Sequence, residues 1–201
     1  LLHNKLTDSK IDLLVGGDLL NQICISNYNA AKYRIPYLGV YSACASFIEG
    51  LIVSSTFIES KQAKTIVNIT SSHNLNAERQ FRYPVEYGAI KKHTTTFTTT
   101  GACATLLTNE VTNIKIESAT IGKALDMGLN DANNMGAIMA PAAAETLATH
   151  LNEMKRNASY YDLILTGDLG KVGKELFLEV LRQSHNIELK KYIDAGCEIY
   201  T

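Results

Sequence analysis

The chain has 201 residues, of which 46% are hydrophobic and 19% are charged. A chain of this length and composition is predicted to fold around a hydrophobic core, because disordered chains contain fewer hydrophobic and more charged residues. Its 19 basic and 20 acidic side chains give a net charge of -1, and this balance argues against a protein that holds nucleic acid on a basic surface.

Runs of apolar residues separated by turn residues predict alternating strands and helices. In chain order, the predicted strands lie within 12–20, 37–40, 64–70, 94–100, 102–108, 114–120 and 162–170. The predicted helices lie near 27–33, 47–60 and 141–156. Pro141 is expected to open the last of these helices, because proline favours the first turn. The alternation predicts a protein of the α/β class.

The first predicted strand has a second copy 150 residues further along the chain. Asp12–Leu20 and Asp162–Gly170 both carry a continuous apolar run, typical of a strand buried on both faces of a sheet, and a Gly-Asp pair follows each run. We interpret the repeat as an internal duplication, with a first half at 1–122 and the beginning of a second half at 123–201. Both ends of the chain fall inside predicted elements, so we expect it to be a piece of a longer protein.

Cys44 lies in a turn of small residues, Ser42–Ser46, between a predicted strand and a predicted helix. This position places its sulfur over the positive end of the helix, where a thiolate is stabilised and can act as a nucleophile. The alternative is a small buried hydrophobic residue, which is the usual environment of a cysteine outside disulfides. Cys103, in the predicted strand 102–108, is interpreted in this second way.

A second group of chemically versatile side chains follows the predicted strand 64–70. It comprises one histidine, two acids, two arginines and two tyrosines: His73, Glu78, Glu86, Arg79, Arg82, Tyr83 and Tyr87. Arginine donates to carboxylates in a planar fork and tyrosine offers a flat face, so this loop is suited to a small aromatic acid. The alternative is a solvated loop with one internal ion pair, because Glu78 and Arg82 have helical i,i+4 spacing, and with a structural His73.

Several familiar motifs are absent from the sequence. It contains no GxGxxG, HExxH or GxSxG, and the stretch Asp168–Glu175 lacks the first Gly and the last Ser or Thr of a phosphate loop. Its four cysteines have neither zinc nor disulfide spacing, which favours a reducing compartment. The most apolar stretch, 47–58, is too short and too polar to span a bilayer. We therefore expect no cofactor, no metal site and no transmembrane segment.

The duplication, the cysteine turn and the loop after 64–70 are found together in one family. The matching segments are 17–22, 70–74, 77–84, 139–144 and 161–169, and the run Glu78–Pro84, ERQFRYP, is the most specific of them. The sequence resembles the stage V sporulation protein AD family, thiolase-like proteins of spore-forming bacteria. The resemblance implies a homodimeric thiolase-like fold of two duplicated βαβαβαββ halves, incomplete here at both ends.

The resemblance also implies a function without catalysis. Members of the family are expected to bind dipicolinic acid, or its calcium chelate, for uptake into the developing spore, in the cleft of a degenerate thiolase active site. The positions that match this pocket are Asp18, Cys44, His73, Glu78, Arg79 and Arg82. A calcium chelate would give Asp18 or Glu78 a use as oxygen ligands. The implied partners are other stage V sporulation proteins of a membrane channel, and the implied location is the forespore, peripheral to the spore inner membrane.

The alternative function is acyl transfer by a thiolase-like or ketoacyl-synthase-like enzyme with Cys44 as the acyl-carrying nucleophile. Condensing enzymes of this kind pair the cysteine with a histidine and an asparagine or second histidine from the second half. Neither partner is present at the corresponding strand end, Leu165–Gly170, so we expect no condensation chemistry. A structural spore protein with a vestigial pocket is a third possibility.

Overall fold

The computed structural model describes residues 10–199. They divide into two compact units, each of which has its own sheet and core. The first unit takes in the chain up to Tyr87 together with Thr98–Glu117, and the second takes in Gly88–Phe97 and the chain from Ser118 onward. None of the described helices is long and apolar enough to cross a bilayer.

The first unit is a four-stranded sheet with three helices. Its elements are β1 (Leu13–Asp18), α1 (Cys24–Ala30), β2 (Tyr37–Val40), a 3-10 turn (Ala43–Ala45), α2 (Ser46–Glu59), β3 (Thr65–Ser72), α3 (Asn74–Phe81), a second 3-10 turn (Val85–Tyr87) and β4 (Gly101–Thr108). The strand order is β2-β1-β3-β4, with β4 antiparallel to β3 and the other pairs parallel. The carboxyl ends of β1, β2 and β3 therefore lie at one edge of the sheet.

The apolar run of β1 is buried on both faces, as its continuous pattern predicts. Leu14 packs on one face in a cluster with Ala30 of α1. Val15 packs on the other face in a cluster with Val53 and Phe57 of α2. Since Val15 is fully buried, the position of β1 in the sheet is set by apolar packing from two sides.

The second unit consists of helices packed beside a two-stranded sheet. Its elements are α4 (Met135–Glu153), a 3-10 turn (Ala158–Tyr160), β5 (Ile164–Thr166), α5 (Gly170–His185), β6 (Tyr192–Asp194) and α6 (Ala195–Ile199). Helices α4 and α5 cross so closely that a Cβ added to Gly173 would lie 2.7 Å from the Cα of Gly136. The core between these helices contains the fully buried Phe177 and Leu181.

The repeated segment has the same strand pairing in both units, and the division into halves at 1–122 and 123–201 stays a prediction. Leu14 of β1 pairs with Tyr37 of β2, and Ile164 of β5, at the position 150 residues further on, pairs with Tyr192 of β6. Each pair of parallel strands is joined through a helix, α1 in the first unit and α5 in the second. The same βαβ arrangement is therefore built twice.

Two predicted strands, 94–100 and 114–120, are wrong. Both segments lack regular secondary structure. In the first, the hydroxyl groups of Thr94 and Thr95 donate to the carbonyl of Asn133, and Thr98 donates to the carboxylate of Glu78. These polar groups are satisfied by loops and side chains, so the β-branched threonines do not need a sheet neighbour.

The predicted start of α4 is also wrong. The helix begins at Met135, where the side chain of Asn134 caps it by accepting the N–H of Ala137, and Pro141 lies inside the helix. An asparagine cap thus sets the beginning of the helix, and Pro141, which has no N–H to donate, lies within it.

Two predicted burial environments are corrected as well. Leu163 and Leu165 are 50% and 60% exposed, because β6 is the only strand beside β5 in the described part of the chain. Cys103 is exposed and not buried, because it lies in the exposed first half of the edge strand β4.

Candidate functional site

Three of the predicted site residues follow adjacent parallel strands. Asp18 ends β1, Cys44 follows β2, and His73 follows β3. In open α/β sheets the carboxyl ends of the strands are where ligands bind. The topology therefore places all three residues at one edge of the first unit's sheet, as the sequence predicts.

Asp18 is fully buried, and its two carboxylate oxygens differ in their hydrogen bonding. Its Oδ1 accepts the N–H of Leu20 at 3.1 Å. Its Oδ2 is buried and has no hydrogen-bond partner among residues 10–199, and the same holds for the hydroxyl of Tyr37. Burial raises the pKa of Tyr37, and the negative charge of Asp18 adds to this effect. A buried polar atom without a partner costs free energy, so water, an ion or a ligand is expected to satisfy it.

Unpartnered polar atoms continue along the end of β3. Within the described chain, the hydroxyls of Thr70 and Ser71 and the Nδ1 of His73 are buried without a hydrogen-bond partner. Ser71 is the register neighbour of Asp18, and Thr70 is that of Gly17. Successive residues of a strand point to opposite faces of the sheet, so Ser71 lies beside Asp18 on one face of the sheet and Thr70 lies on the other. The predicted site residues do not include Thr70 or Ser71, although both lie in the matching segment 70–74.

Cys44 lies in a tightly held turn. The hydroxyl of Ser46 donates to the carbonyl of Ala43 and accepts the N–H of Ser42, at 2.8 Å and 3.0 Å. Ala43 has a φ of 45°, a left-handed conformation that is uncommon for a residue with a side chain. Cys44 itself is exposed immediately before α2, so its interpretation as a buried hydrophobic residue is wrong.

Gln80 connects two of the loops at this edge. Its Oε1 accepts the N–H of Asn21 in the loop after β1, at 3.1 Å. Its Nε2 donates to the hydroxyl of Tyr41, which follows β2, at 3.3 Å. Sequence reasoning missed this role, because the two contacts join residues that are distant in the chain.

Glu78 and Arg82 form a buried ion pair. The side chains are 1% and 4% exposed, and Nη1 of Arg82 lies 3.0 Å from Oε1 of Glu78. Thr98 donates to the same oxygen through its N–H at 3.0 Å and its hydroxyl at 3.2 Å. The ion pair inferred from the i,i+4 spacing is confirmed, but it is buried and not solvated. The predicted contact of these two residues with a ligand stays a prediction.

Arg79 points to the surface. It lies 2.5 Å from Glu86, and the two side chains are 54% and 59% exposed. The pKa of Glu86 is lowered mainly by a hydrogen bond from the backbone N–H of Glu86 itself. The hydrogen bond from Arg79 lowers this pKa further. Arg79 is thus accessible to a ligand, and its binding role also stays a prediction.

In the second unit, Asp194 fixes the turn that follows β5. The carboxylate is fully buried and accepts the hydroxyl of Thr166 and the N–H groups of Leu169, Gly170 and Cys197, at 2.8 to 3.2 Å. Sequence reasoning missed Asp194, whose partners lie up to 28 residues away in the chain. The turn that follows β5 is therefore held by a buried carboxylate.

A family model for stage V sporulation protein AD (SpoVAD) matches residues 1–201. Stage V sporulation protein AD of Bacillus subtilis (strain 168) is 45% identical over 201 residues, which make up 100% of this chain and 60% of that protein. The chain thus spans 60% of the length of this curated relative.

Solved structures of condensing enzymes have a similar fold. For 3-oxoacyl-[acyl-carrier-protein] synthase III from Aquifex aeolicus VF5, the TM-score is 0.60 at 17% identity, covering 94% of this chain and 63% of that one. For a variant of Xanthomonas campestris OleA with bound lauric acid and lauroyl-CoA, the TM-score is 0.70 at 12% identity, covering 97% and 64%. At these identities the likeness concerns the fold alone, and it confirms the predicted thiolase-like α/β architecture.

Proposed function

The chain belongs to the stage V sporulation protein AD family, and we propose that it binds dipicolinic acid, or its calcium chelate, without catalysis during uptake into the developing spore. The ligand would occupy the edge of the first unit at which β1, β2 and β3 end. We further propose that the protein acts as a homodimer at the spore inner membrane, with other stage V sporulation proteins of a membrane channel as its partners.

The observation that supports this proposal is the set of buried polar atoms at that edge, on Asp18, Ser71 and His73, that have no hydrogen-bond partner among residues 10–199. Dipicolinate is a flat pyridine with two carboxylates, and it needs hydrogen-bond donors at both ends. Hydroxyls and an imidazole are suitable donors, and a guanidinium such as that of Arg79 adds a charged one.

Asp18 fits the calcium chelate in a different way. A carboxylate oxygen is a ligand that calcium prefers, and the Oδ2 of Asp18 is the buried oxygen that lacks a partner within residues 10–199. Binding of the chelate would provide this oxygen with a cation. Asp18 would then hold the metal while the donors of β3 hold the carboxylates.

Replacing Arg79 with alanine is expected to weaken dipicolinate binding by about tenfold or more, because a charge-assisted hydrogen bond contributes about 1.5–3 kcal/mol. The measurement is calorimetric titration of the full-length protein with dipicolinate, with and without calcium. Pyridine-2-carboxylate is the control ligand, and Arg182→Ala is the control variant, because Arg182 is another exposed arginine paired with a glutamate.

Unchanged affinity in the Arg79→Ala variant would remove Arg79 from the site. Absence of saturable binding to the wild-type protein, with and without calcium, would overturn the proposed function itself. Equal binding of the monocarboxylate would show that the site does not recognise the second carboxylate.

Acyl transfer is the second candidate function. The exposed position of Cys44 at the beginning of α2 favours it, because a helix N-terminus stabilises a thiolate. Against it, the strand end 165–170 carries Gly167 and Asp168 and no histidine, whereas condensation needs such groups to stabilise the developing oxyanion.

We expect no covalent adduct when the full-length protein is incubated with acetyl-CoA or lauroyl-CoA and analysed by intact mass spectrometry. Cys103→Ala is the matched control for Cys44→Ala, since both thiols are exposed. An acyl mass shift that persists in Cys103→Ala and disappears in Cys44→Ala would establish the enzyme instead of the binder.

A further inference from the structure

A cavity in the second unit has no part in the proposed function. Its volume is about 1030 Å³, and it lies where α4 and α5 end and β5 begins. Two dibasic pairs, Lys155-Arg156 and Lys190-Lys191, line it together with the acidic Glu145 and Glu188. In a chain of net charge -1, this lining is a local excess of positive charge, which attracts anions.

Arg156 is held in a fixed position at this cavity. Its guanidinium carbon lies 4.2 Å from the ring centroid of Tyr160, and its Nη1 donates to the hydroxyl of Tyr161 at 3.3 Å. That hydroxyl is in turn hydrogen-bonded to Nε2 of His150 at 2.7 Å, and Nδ1 of His150 is bonded to Thr120 at 2.8 Å. A guanidinium supported in this way is preorganised for a ligand.

The lysines add charge around this fixed group. Lys191 is paired with Asp162 at 3.0 Å. Lys155 and Lys190 are exposed and make no ion pair within the described residues. Two lysine side chains are therefore available to an anion that Arg156 positions.

We propose that this cavity binds a phosphate-bearing ligand, with Arg156 as the fixed donor and Lys155 and Lys190 as mobile counter-charges. The planar fork of an arginine matches two oxygens of a phosphate, and lysine binds phosphate as a point charge. The phosphate belongs either to a free phosphate ester or to a phospholipid headgroup. The apolar side chains of Leu151, Ile164 and Ile187 also line the cavity, and they are suited to the hydrocarbon part of such a ligand.

The test is titration of the full-length protein with inorganic phosphate, together with co-sedimentation with phosphatidylglycerol vesicles. We expect saturable phosphate binding that Arg156→Gln weakens by about tenfold, the loss of one charge-assisted contact. Lys190→Gln is the second variant, because an exposed lysine is replaced without risk to the fold. Lys32→Gln, an exposed lysine of the first unit, is the control and should bind as the wild type does. Dipicolinate affinity should be unchanged in all three variants.

Phosphate binding without vesicle binding would identify a free phosphate ester as the ligand. Vesicle binding that phosphate displaces and that Lys190→Gln weakens would identify a lipid headgroup. The proposal is overturned if the wild-type protein binds neither probe, or if Arg156→Gln and Lys190→Gln bind phosphate as tightly as Lys32→Gln does.

Discussion

Replacing Arg82 with methionine is expected to destabilise the protein by about 3–5 kcal/mol, because it leaves a buried carboxylate without its cation. Glu78 is 1% exposed and Arg82 is 4% exposed, so water cannot replace the lost charge. The measurement is urea unfolding of the full-length protein, followed by circular dichroism, with wild type and variant compared at the same pH and ionic strength.

Arg79→Met is the matched control, since Arg79 lies in α3, which Arg82 follows directly, and is paired with a glutamate at the surface. Its effect is expected to stay within about 0.5 kcal/mol, as for most exposed ion pairs. Adding Glu78→Gln to Arg82→Met should restore part of the lost stability, because it removes the uncompensated charge. If Arg82→Met were as stable as Arg79→Met, the buried pair would not stabilise the fold.

Replacing Gly173 with alanine is expected to destabilise the second unit by about 3 kcal/mol, at the upper end of what overpacking costs. The added Cβ would lie 2.7 Å from the Cα and 3.0 Å from the carbonyl carbon of Gly136. Both are backbone atoms of α4, so relief requires the two helices to move apart and loosens the packing around Phe177. Thermal unfolding of the full-length protein measures the effect.

Gly167→Ala is the control for this substitution. No atom lies within 4 Å of a Cβ added at Gly167, so its effect is expected to stay within about 0.5 kcal/mol. Equal melting temperatures for the two variants would show that α4 and α5 can separate at little cost, against the close crossing seen in the structure.

The elements that sequence reasoning predicted are those with a local signal. A continuous apolar run identified β1 and β3, and β2 was predicted at its observed residues, 37–40. The threonine-rich segment 94–100 has the same local preference for strand, but its polar groups are bonded to Asn133 and Glu78. Those partners lie far away in the chain, so no local pattern could reveal that the segment is irregular.

The candidate site also contains some features that the sequence could predict and others that it could not. Asp18, Cys44 and His73 could be selected from the sequence, because each follows a predicted strand and carries a versatile side chain. The sequence could not predict that one oxygen of Asp18 lacks a partner within residues 10–199, or that Gln80 bridges two loops. Both features depend on neighbours from other strands and loops. The hydrogen bonds from Thr98 to Glu78 also join residues that are distant in the chain, and the spacing of Glu78 and Arg82 does not reveal them.

Two residues of α3 contact the chain on either side of the segment Gly88–Phe97. Arg79 bonds Glu86 just before the excursion Gly88–Phe97, and Glu78 bonds Thr98 immediately after it. Neighbouring residues of one helix thus contact both ends of this excursion, through an exposed ion pair at one end and a hydrogen bond to a buried carboxylate at the other. Gly88–Phe97 belongs to the second unit, where Thr94 and Thr95 donate to Asn133, so a change in the length of this segment would disturb the packing of the second unit as well as the entropy of closing a loop.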